Sequence, residues 1–464
     1  MAHMESEAPP TLGEQFRMKQ GLEIHRKARI LFPNGVEPGG KGISDQAEQT
    51  AQLMTTPEVT TIFEATFIDG IYATKADVIQ RTDDGWHLYE IKSSVNDKPE
   101  HIDDMAYTSF VMERAASKPV NVSLILVSRD YRLGQPDTEL FRIIEMGDKV
   151  LEQATAFAEL ADGIAKSVLS EDQPSASLIR ECRDCPYFQS DCLGANVEFP
   201  VFDIPRLTGQ RFQGLADAGI VSVTDIPDDY ALTARQAATR DLIRSGEPIL
   251  RDGLKAFIED IEWPARYLDF ETVMTAIPLY PDIPPYTQIP TQYSVHVCES
   301  PGEIVDHHEF FASPGVDPRQ ALVIQLLDNL GDSGSIVVYF SSFERTRLKA
   351  LAERFPELAD RLTACIDRLF DLEVAFKKHY QHPMFHGKSS IKVTLPVLVP
   401  ELSYNDLEIG DGGAAMAAFA FIEWGEYTPE EIDRIRRLLL EYCKQDTEAM
   451  VRLHQHLVQL VSKQ

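Results

Sequence analysis

Two stretches of this chain place carboxylates on apolar, strand-like runs, and that placement constrains the fold more than any other feature. In the first, Thr60 to Ile68, Ile71 to Gln80 and Trp86 to Lys92 read as strands, with Asp83-Asp84-Gly85 as a hairpin turn. Asp77 lies on the second run, and Glu90-Ile91-Lys92 closes the third. In the second stretch, Arg266 to Phe270 reads as a strand carrying Asp269-Phe270-Glu271, and a late helix carries Tyr442-x-x-x-Asp446. Strand residues two apart share a face, and so do helix residues four apart. In each stretch the carboxylates fall at adjacent element ends, where such groups converge on divalent cations.

The remaining pattern supplies helical layers for both. Residues 14–31 read as a helix stopped by Pro33-Asn34-Gly35, residues 101–116 as another, Val120 to Ser128 as a strand and Glu145 to Leu169 as a long helix. Farther on, Tyr293 to Val297, Glu303 to Phe311 and Ser335 to Phe340 read as strands. Helices follow at Pro318 to Leu330, 344–354, 357–366 and 429–460. The fold class is α/β, divided into a mixed-sheet domain over 1–198, a helical connector over 199–262 and a second α/β domain over 263–464. A Pro-rich stretch, Ile277 to Pro290, is long enough to serve as a lid.

No apolar run reaches the ~18–20 residues that span a bilayer, so no membrane partner is expected. Met1-Ala2-His3-Met4 lacks the apolar core of a signal peptide and reads as an expression scar, which makes the expected location cytoplasmic. The formal charge is −29. Residues 1–200 hold 33 acids and 19 bases, and neither half of the chain is basic. Contact with a polyanion therefore has to come from bound cations and local basic patches, such as Arg26-Lys27-x-Arg29. Of the six cysteines, Cys182, Cys185 and Cys192 crowd together, a spacing that suits a metal or cluster site better than disulfides.

Chemically, Asp77 and Glu90 would hold one or two Mg²⁺ or Mn²⁺ ions, with Lys92 on the same strand face orienting water or offsetting phosphoryl charge. Gly21-x-x-x-His25, Asp77, Glu90-x-Lys92 and Tyr107 together resemble the RecB-type branch of the PD-(D/E)XK nucleases, on a restriction-endonuclease-type fold. The resemblance implies His25 as an imidazole ligand from the preceding helix and Tyr107 as a catalytic-helix residue. Glu64 is a candidate supporting carboxylate. Ala76 stands where the family has Pro, and Asp103 where it usually has Gln.

Cys182-x-x-Cys185 with Cys192 resembles the C-terminal triplet of RecB-type nucleases that carry an iron–sulfur cluster, including CRISPR-associated ones. That implies a structural [4Fe–4S] cluster needing four thiolates. The family's first cysteine, upstream of G-x-x-x-H, is missing here, as it would be if the natural protein began further upstream. Zn²⁺ with a ligand from elsewhere, or no metal, are the alternatives. Leu215 to Ile226 resembles a helix–hairpin–helix element; a plain connector with Gly219 as a helix C-cap explains it equally.

Tyr267-Leu268-Asp269-Phe270-Glu271-Thr272 resembles the first motif of the DEDD exonucleases on an RNase H-like fold. Glu441-Tyr442-Cys443-Lys444-Gln445-Asp446 resembles the third motif of their Tyr variant. The resemblance makes Asp269, Glu271 and Asp446 ligands of two metal ions, with Tyr442 orienting the attacking water. For the second motif the chain offers Glu344 in place of Asp, with Asp371 as the fallback. From Trp263 onward the chain also resembles an uncharacterised bacterial domain often found behind RecB-like nucleases. It carries that domain's G-x-S-S-I-K (Gly387 to Lys392) and P-x-L-S-Y (Pro400 to Tyr404), with Lys388 and Lys392 as possible phosphate contacts.

The expectation is a metal-dependent nuclease with two candidate sites, one RecB-like and one 3′–5′ DEDDy-like, acting on nucleic acid, DNA favoured over RNA. Only one of the sites being active is the second reading. The rival from another class is a nucleic-acid-binding or assembly protein whose sites have decayed.

Overall fold

The computed structural model describes residues 9–170, 172, 175–404 and 407–463, so the Met1–Met4 stretch lies outside it. The chain adopts the α/β class expected from its element order, as two compact units. The first holds the described residues of Met1–Pro174 together with Val273–Ile289 and Met416–Glu426; the second holds Ser175–Thr272, Pro290–Ala415 and the described residues of Tyr427–Gln464. The cysteine segment, read from sequence as the end of the first domain, thus belongs to the second unit. The Pro-rich stretch belongs to the first as far as Ile289.

The first unit begins with α1 (Leu12–Ala28) and α2 (Ile43–Thr55), then β1 (Thr61–Asp69), β2 (Tyr72–Thr82) and β3 (Gly85–Lys92). It continues with α3 (Pro99–Ala115), β4 (Asn121–Val127), β5 (Phe141–Glu145) and α4 (Gly147–Leu169). The five strands lie in sequence order, and only β3 and β4 run parallel. One face packs Met105, Val111 and Val150 from α3 and α4. The other packs Ile24 and Ala28 from α1. Two elements escaped the sequence reading. α2 fully buries only Thr50, and its apolar contact with the core is limited to Leu53 and Met54 in its last turn, too little to read as an amphipathic helix. β5 is an edge strand with Ile143 half exposed, and only its last residue, Glu145, was read from sequence, as the start of the helix that follows.

Four short helices, α5 (Phe188–Asp191), α6 (Gly209–Asp217), α7 (Ala234–Ser245) and α8 (Gly253–Glu259), open the second unit, with the two-residue β6 (Ile249–Leu250) before α8. Cys182 and Cys185 pack beside Leu215, Val223 and Ile226 in this helical core. After α6, Gly219 sits at φ +68° and acts as a C-cap, and Ile220 N–H donates to the Leu215 carbonyl. Val223–Asp225 is a 3₁₀ turn, and the next α-helix begins only at Ala234. The connector reading holds here; the second helix of a hairpin is not formed at Val223 to Ile226.

The main sheet of this unit comprises β7 (Ala265–Val273), β8 (Ile289–Ser300), β9 (Glu303–Phe311), β10 (Ile336–Val338) and β11 (Leu369–Asp371), in the order β11-β10-β7-β8-β9. The carboxylate-bearing β7 is therefore central, and it runs parallel to β10. The helices are α9 (Arg319–Leu330), α10 (Ser342–Arg354), α11 (Ala359–Asp367), α12 (Ile391–Leu398) and α14 (Pro429–Ser462), whereas α13 (Gly412–Glu423) belongs from Met416 onward to the first unit, and β12 (Tyr380–Gln381) pairs with β6. α14 starts at a capping box between Thr428 and Glu431, with Pro429 in its first turn. Tyr267 packs with Met450 and Leu453 of α14, and Asp269 and Glu271 follow it at strand spacing on the same side of β7.

Candidate functional site

In the first unit the site forms where the sheet comes apart. β2 pairs with β3 from the turn back to Val78–Tyr89, and beyond that the ladder stops. Asp77, the next residue of β2, sends Oδ2 to the Ile91 N–H at 2.7 Å instead. On its other side β1 keeps one register before and after, yet Glu64 and Asp77 drop out of it. Glu64 sits at φ +50°, a left-handed conformation that costs a non-glycine residue about 1–3 kcal/mol. The core pattern changes phase there: Ile62 and Ala65 pack on one face, Phe63 on the other. His25, from the last turn of α1, reaches to 3.6 Å from Asp77 Oδ1. One ligand atom each of His25, Glu64 and Asp77 falls within 4.8 Å of the others.

Glu90 stands beside this group without joining it. Its Oε1 accepts Lys92 Nζ at 2.9 Å, and Lys92 also pairs with Asp104 of α3, a partner that sequence did not single out. Oε2 of Glu90 is buried without a hydrogen bond, and so is Nδ1 of His101, on α3 three residues before Asp104. Burial, followed by the charge of Asp77, pushes the Glu90 carboxyl far above its ordinary range, and burial does the same to Asp77. Burial works against charge on Lys92, but Glu90 and Asp104 more than offset it, so the ammonium is held firmly protonated. Burial and the Lys92 charge lower the pKa of His101 below the ordinary imidazole value.

Tyr107 does not enter the site. Its hydroxyl donates to the Ala73 carbonyl at 3.1 Å and its ring packs edge-on to Phe157. Asp103 accepts Gln153 Nε2 at 2.8 Å, so the helix presents Asp104 to Lys92 and turns Asp103 to α4. The basic patch is neutralised as well: Arg26 pairs with Glu23, Lys27 with Asp137 and Arg29 with Glu37.

The second unit gathers Asp269 and Glu271 of β7 with Asp446 of α14, again within 4.8 Å. β10 has ended at Val338 and leaves this end of the central strand open. Burial, followed by the charge of Asp446, raises Asp269 and Glu271 well above the usual range, and Glu271 adds to the shift of Asp269. Asp446 is raised by burial and drawn back by the hydroxyls of Tyr404 and Tyr442 and the charge of Lys392. Lys392 Nζ sits 5.6 Å and 5.5 Å from the Tyr404 and Tyr442 ring centroids. The Cys443 thiol lies 3.8 Å from Asp269 Oδ2.

Glu344, in the first turn of α10, is 1 % exposed, and its Oε2 has no hydrogen bond. Burial pushes it up to about 8, and its charge in turn acts on Asp269. The fallback, Asp371, is committed elsewhere: its oxygens accept the N–H groups of Phe340, Ser341 and Glu373 at 3.0–3.1 Å. Sequence reading quoted Tyr404 within P-x-L-S-Y but gave it no role. The motif itself was the available signal. Asp411, whose charge also raises Glu271, had no signal beyond being acidic.

Cys182, Cys185 and Cys192 are free, partly buried thiols. Among the described residues no metal-competent group of three donors contains any of them, so the thiols as placed do not fit a cluster or zinc site. Lys388 lines a cleft in the helical region rather than the carboxylate centre.

A family model described as a domain of unknown function, DUF2779, matches residues 266–390, a span that includes Asp269, Glu271 and Glu344. The chain is 28% identical over 224 residues to "Uncharacterized protein MG366 homolog" of Mycoplasma pneumoniae, covering 43% of this chain and 32% of that protein. It is 27% identical over 219 residues to "Uncharacterized protein MG366" of Mycoplasma genitalium, covering 42% and 32%. A third relative, "Uncharacterized protein UU173" of Ureaplasma parvum, is 26% identical over 221 residues, covering 42% and 31%. The chain thus spans about a third of the length of the curated relatives it matches. No solved structure matches. No helix among the described residues is long and apolar enough to cross a membrane.

Proposed function

We propose that the chain is a metal-dependent hydrolase of phosphodiester bonds in nucleic acid, DNA favoured, with the Asp269–Glu271–Asp446 centre and the His25–Glu64–Asp77 centre as its two sites. One observation carries this. Among the described residues three buried side-chain polar atoms lack a hydrogen-bond partner: Glu90 Oε2, His101 Nδ1 and Glu344 Oε2. All three belong to the surroundings of these two centres. A buried carboxylate oxygen without a partner costs roughly 1–3 kcal/mol or more, and folds keep such atoms where a ligand or ion completes them.

The donor sets fit hard divalent cations. Three carboxylates suit Mg²⁺ or Mn²⁺, and the two carboxylates beside the imidazole still favour Mn²⁺ over softer ions at the first centre. A bound cation of this kind supplies an activated water and charge neutralisation at the phosphoryl oxygens. The protein's own groups then divide the remaining work. Tyr404 and Tyr442 fix the rotamer of Asp446 through their hydroxyls. Lys392 and Lys92 bring positive charge to sites that otherwise repel a phosphodiester. Burial of the carboxylates keeps their field unscreened.

The decayed-site reading draws on the −29 charge and on the ion-paired Arg26, Lys27 and Arg29. The deciding experiment is hydrolysis of end-labelled single- and double-stranded DNA and of RNA, in Mn²⁺ and in EDTA, by the wild type, Glu90→Ala and Asp269→Ala. A metal-dependent product ladder abolished by one substitution assigns chemistry to that centre. Intact substrates with the wild type sink the hydrolase reading.

A further inference from the structure

Phe340 combines two features seldom found in one residue. Its side chain is 52 % exposed, and its backbone is held at φ +72°. A lone exposed aromatic is ordinary. A left-handed conformation at a bulky residue is strained, and such strain persists only where neighbours enforce it. Here Asp371 enforces it by accepting the N–H groups of Phe340 and Ser341 at 3.1 Å and 3.0 Å. Tyr339 anchors the other side, donating its hydroxyl to the Ser389 carbonyl at 2.7 Å. The ring is turned out at the point where β10 has ended, four residues before Glu344.

Lys377 Nζ stands 5.2 Å from the Phe340 ring centroid. The same lysine lines a cleft with Arg235, Thr239, His382, Lys388 and Ser389. Among the described residues no carboxylate lines that cleft, although the chain carries 73 acidic and 44 basic residues. Glu373 fixes two of the lining groups, pairing with Lys377 and accepting the Ser389 hydroxyl at 2.7 Å. The loop that supplies Lys388 leads within four residues to Lys392, beside the carboxylate centre. That separation spans at most about 14 Å of extended chain.

We infer that Phe340 and this cleft form a platform for single-stranded nucleic acid leading to the Asp269 centre: the ring stacks an unpaired base, and Lys388 and Arg235 hold the adjoining phosphates. The inference names the substrate of the centre and rests on the hydrolase reading for what happens next. Stacking on an aromatic face needs an unstacked base, which selects single strands over a duplex.

The test is equilibrium binding of fluorescein-labelled decathymidylate in EDTA, where no strand is cut, with a duplex of equal length and an abasic strand beside it. The expected result is preference for the single strand and about tenfold weaker binding by Phe340→Ala, restored by Phe340→Trp. That loss should shrink on the abasic strand. Lys388→Ala should lower the salt slope by about 0.7, the share of one single-strand phosphate. Phe340→Gly, which removes the ring and the strain together, should bind as poorly as Phe340→Ala while unfolding at no lower temperature. Equal binding by Phe340→Ala and wild type, or no binding by the wild type, overturns the platform. A wild type that binds but never hydrolyses in Mn²⁺ supports the platform and removes the hydrolase reading; one that hydrolyses while Phe340→Ala binds normally does the reverse.

Discussion

The Tyr404 hydroxyl donates to Oδ1 of Asp446, 42 residues further along the chain. The bond fixes a carboxylate that would otherwise swing away from Asp269 and Glu271 under their repulsion. Outer partners of this kind are worth about 10–100-fold in metal affinity. Tyr404→Phe is expected to weaken Mn²⁺ binding by about that factor in calorimetric titration, with the fold intact by circular dichroism. Asp269→Asn, which removes a donor outright, should abolish saturable binding at this centre. Unchanged Mn²⁺ affinity in both variants would show that the cation does not bind there.

Glu344 should set a pH dependence on the stability of the metal-free protein. Burial raises its folded pKa to about 8 from an ordinary 4.5. The folded state therefore holds a proton that the unfolded state has lost. The stability this group contributes is complete below pH 4.5 and disappears as pH rises to about 8, at on the order of 1 kcal/mol per pH unit. Glu344→Gln keeps the shape and removes the titration. Its melting temperature should exceed that of the wild type at pH 8 and match it near pH 4.5, both measured in EDTA. Parallel melting curves at the two pH values would contradict the burial of this carboxyl.

Tyr107 should behave as a structural residue. Loss of its hydroxyl removes one hydrogen bond to the Ala73 carbonyl and leaves the ring against Phe157. Tyr107→Phe is expected to cost about 1 kcal/mol in denaturant unfolding. Any hydrolysis by the first unit should persist at the wild-type rate; a loss of hydrolysis without a loss of stability would return the residue to the catalytic set.

Gly21, one turn before His25 on α1, has nothing within 4 Å of where a Cβ would stand. Packing does not require a glycine there. Gly21→Ala should stabilise the protein by about 0.5–1 kcal/mol through helix propensity. If it also slows cleavage by the first unit, the open space belongs to the path of a ligand toward His25.

The thiols divide into two classes. Cys182, Cys185 and Cys192 are partly exposed, whereas Cys298, Cys365 and Cys443 are buried. An aromatic disulfide reagent should label the first three quickly and the second three only on unfolding. Slow labelling of the first three, relieved by a chelator, would mean that they bind a metal in solution after all.

What the sequence by itself determined follows from repeat geometry. The two-residue period of a strand puts Asp269 with Glu271, and Glu90 with Lys92, on shared faces, and the helical turn puts Tyr442 over Asp446. Those relations hold whatever the chain packs against, so the α/β class and the shared faces of these carboxylates were legible, whereas the membership of the first group was not. Other assignments depended on neighbours remote in sequence. Glu64 joins His25 and Asp77 because the β1–β2 ladder breaks there in a left-handed residue, which no local pattern announces. Lys92 is claimed by Asp104, Tyr107 is drawn to Ala73, and Asp371 is used up on the turn at Phe340. Segments 273–289 and 416–426 join the first unit although they lie far along the chain. Tertiary structure decided these points because a polar side chain takes whichever partner packing brings within reach, and packing is fixed by the whole chain.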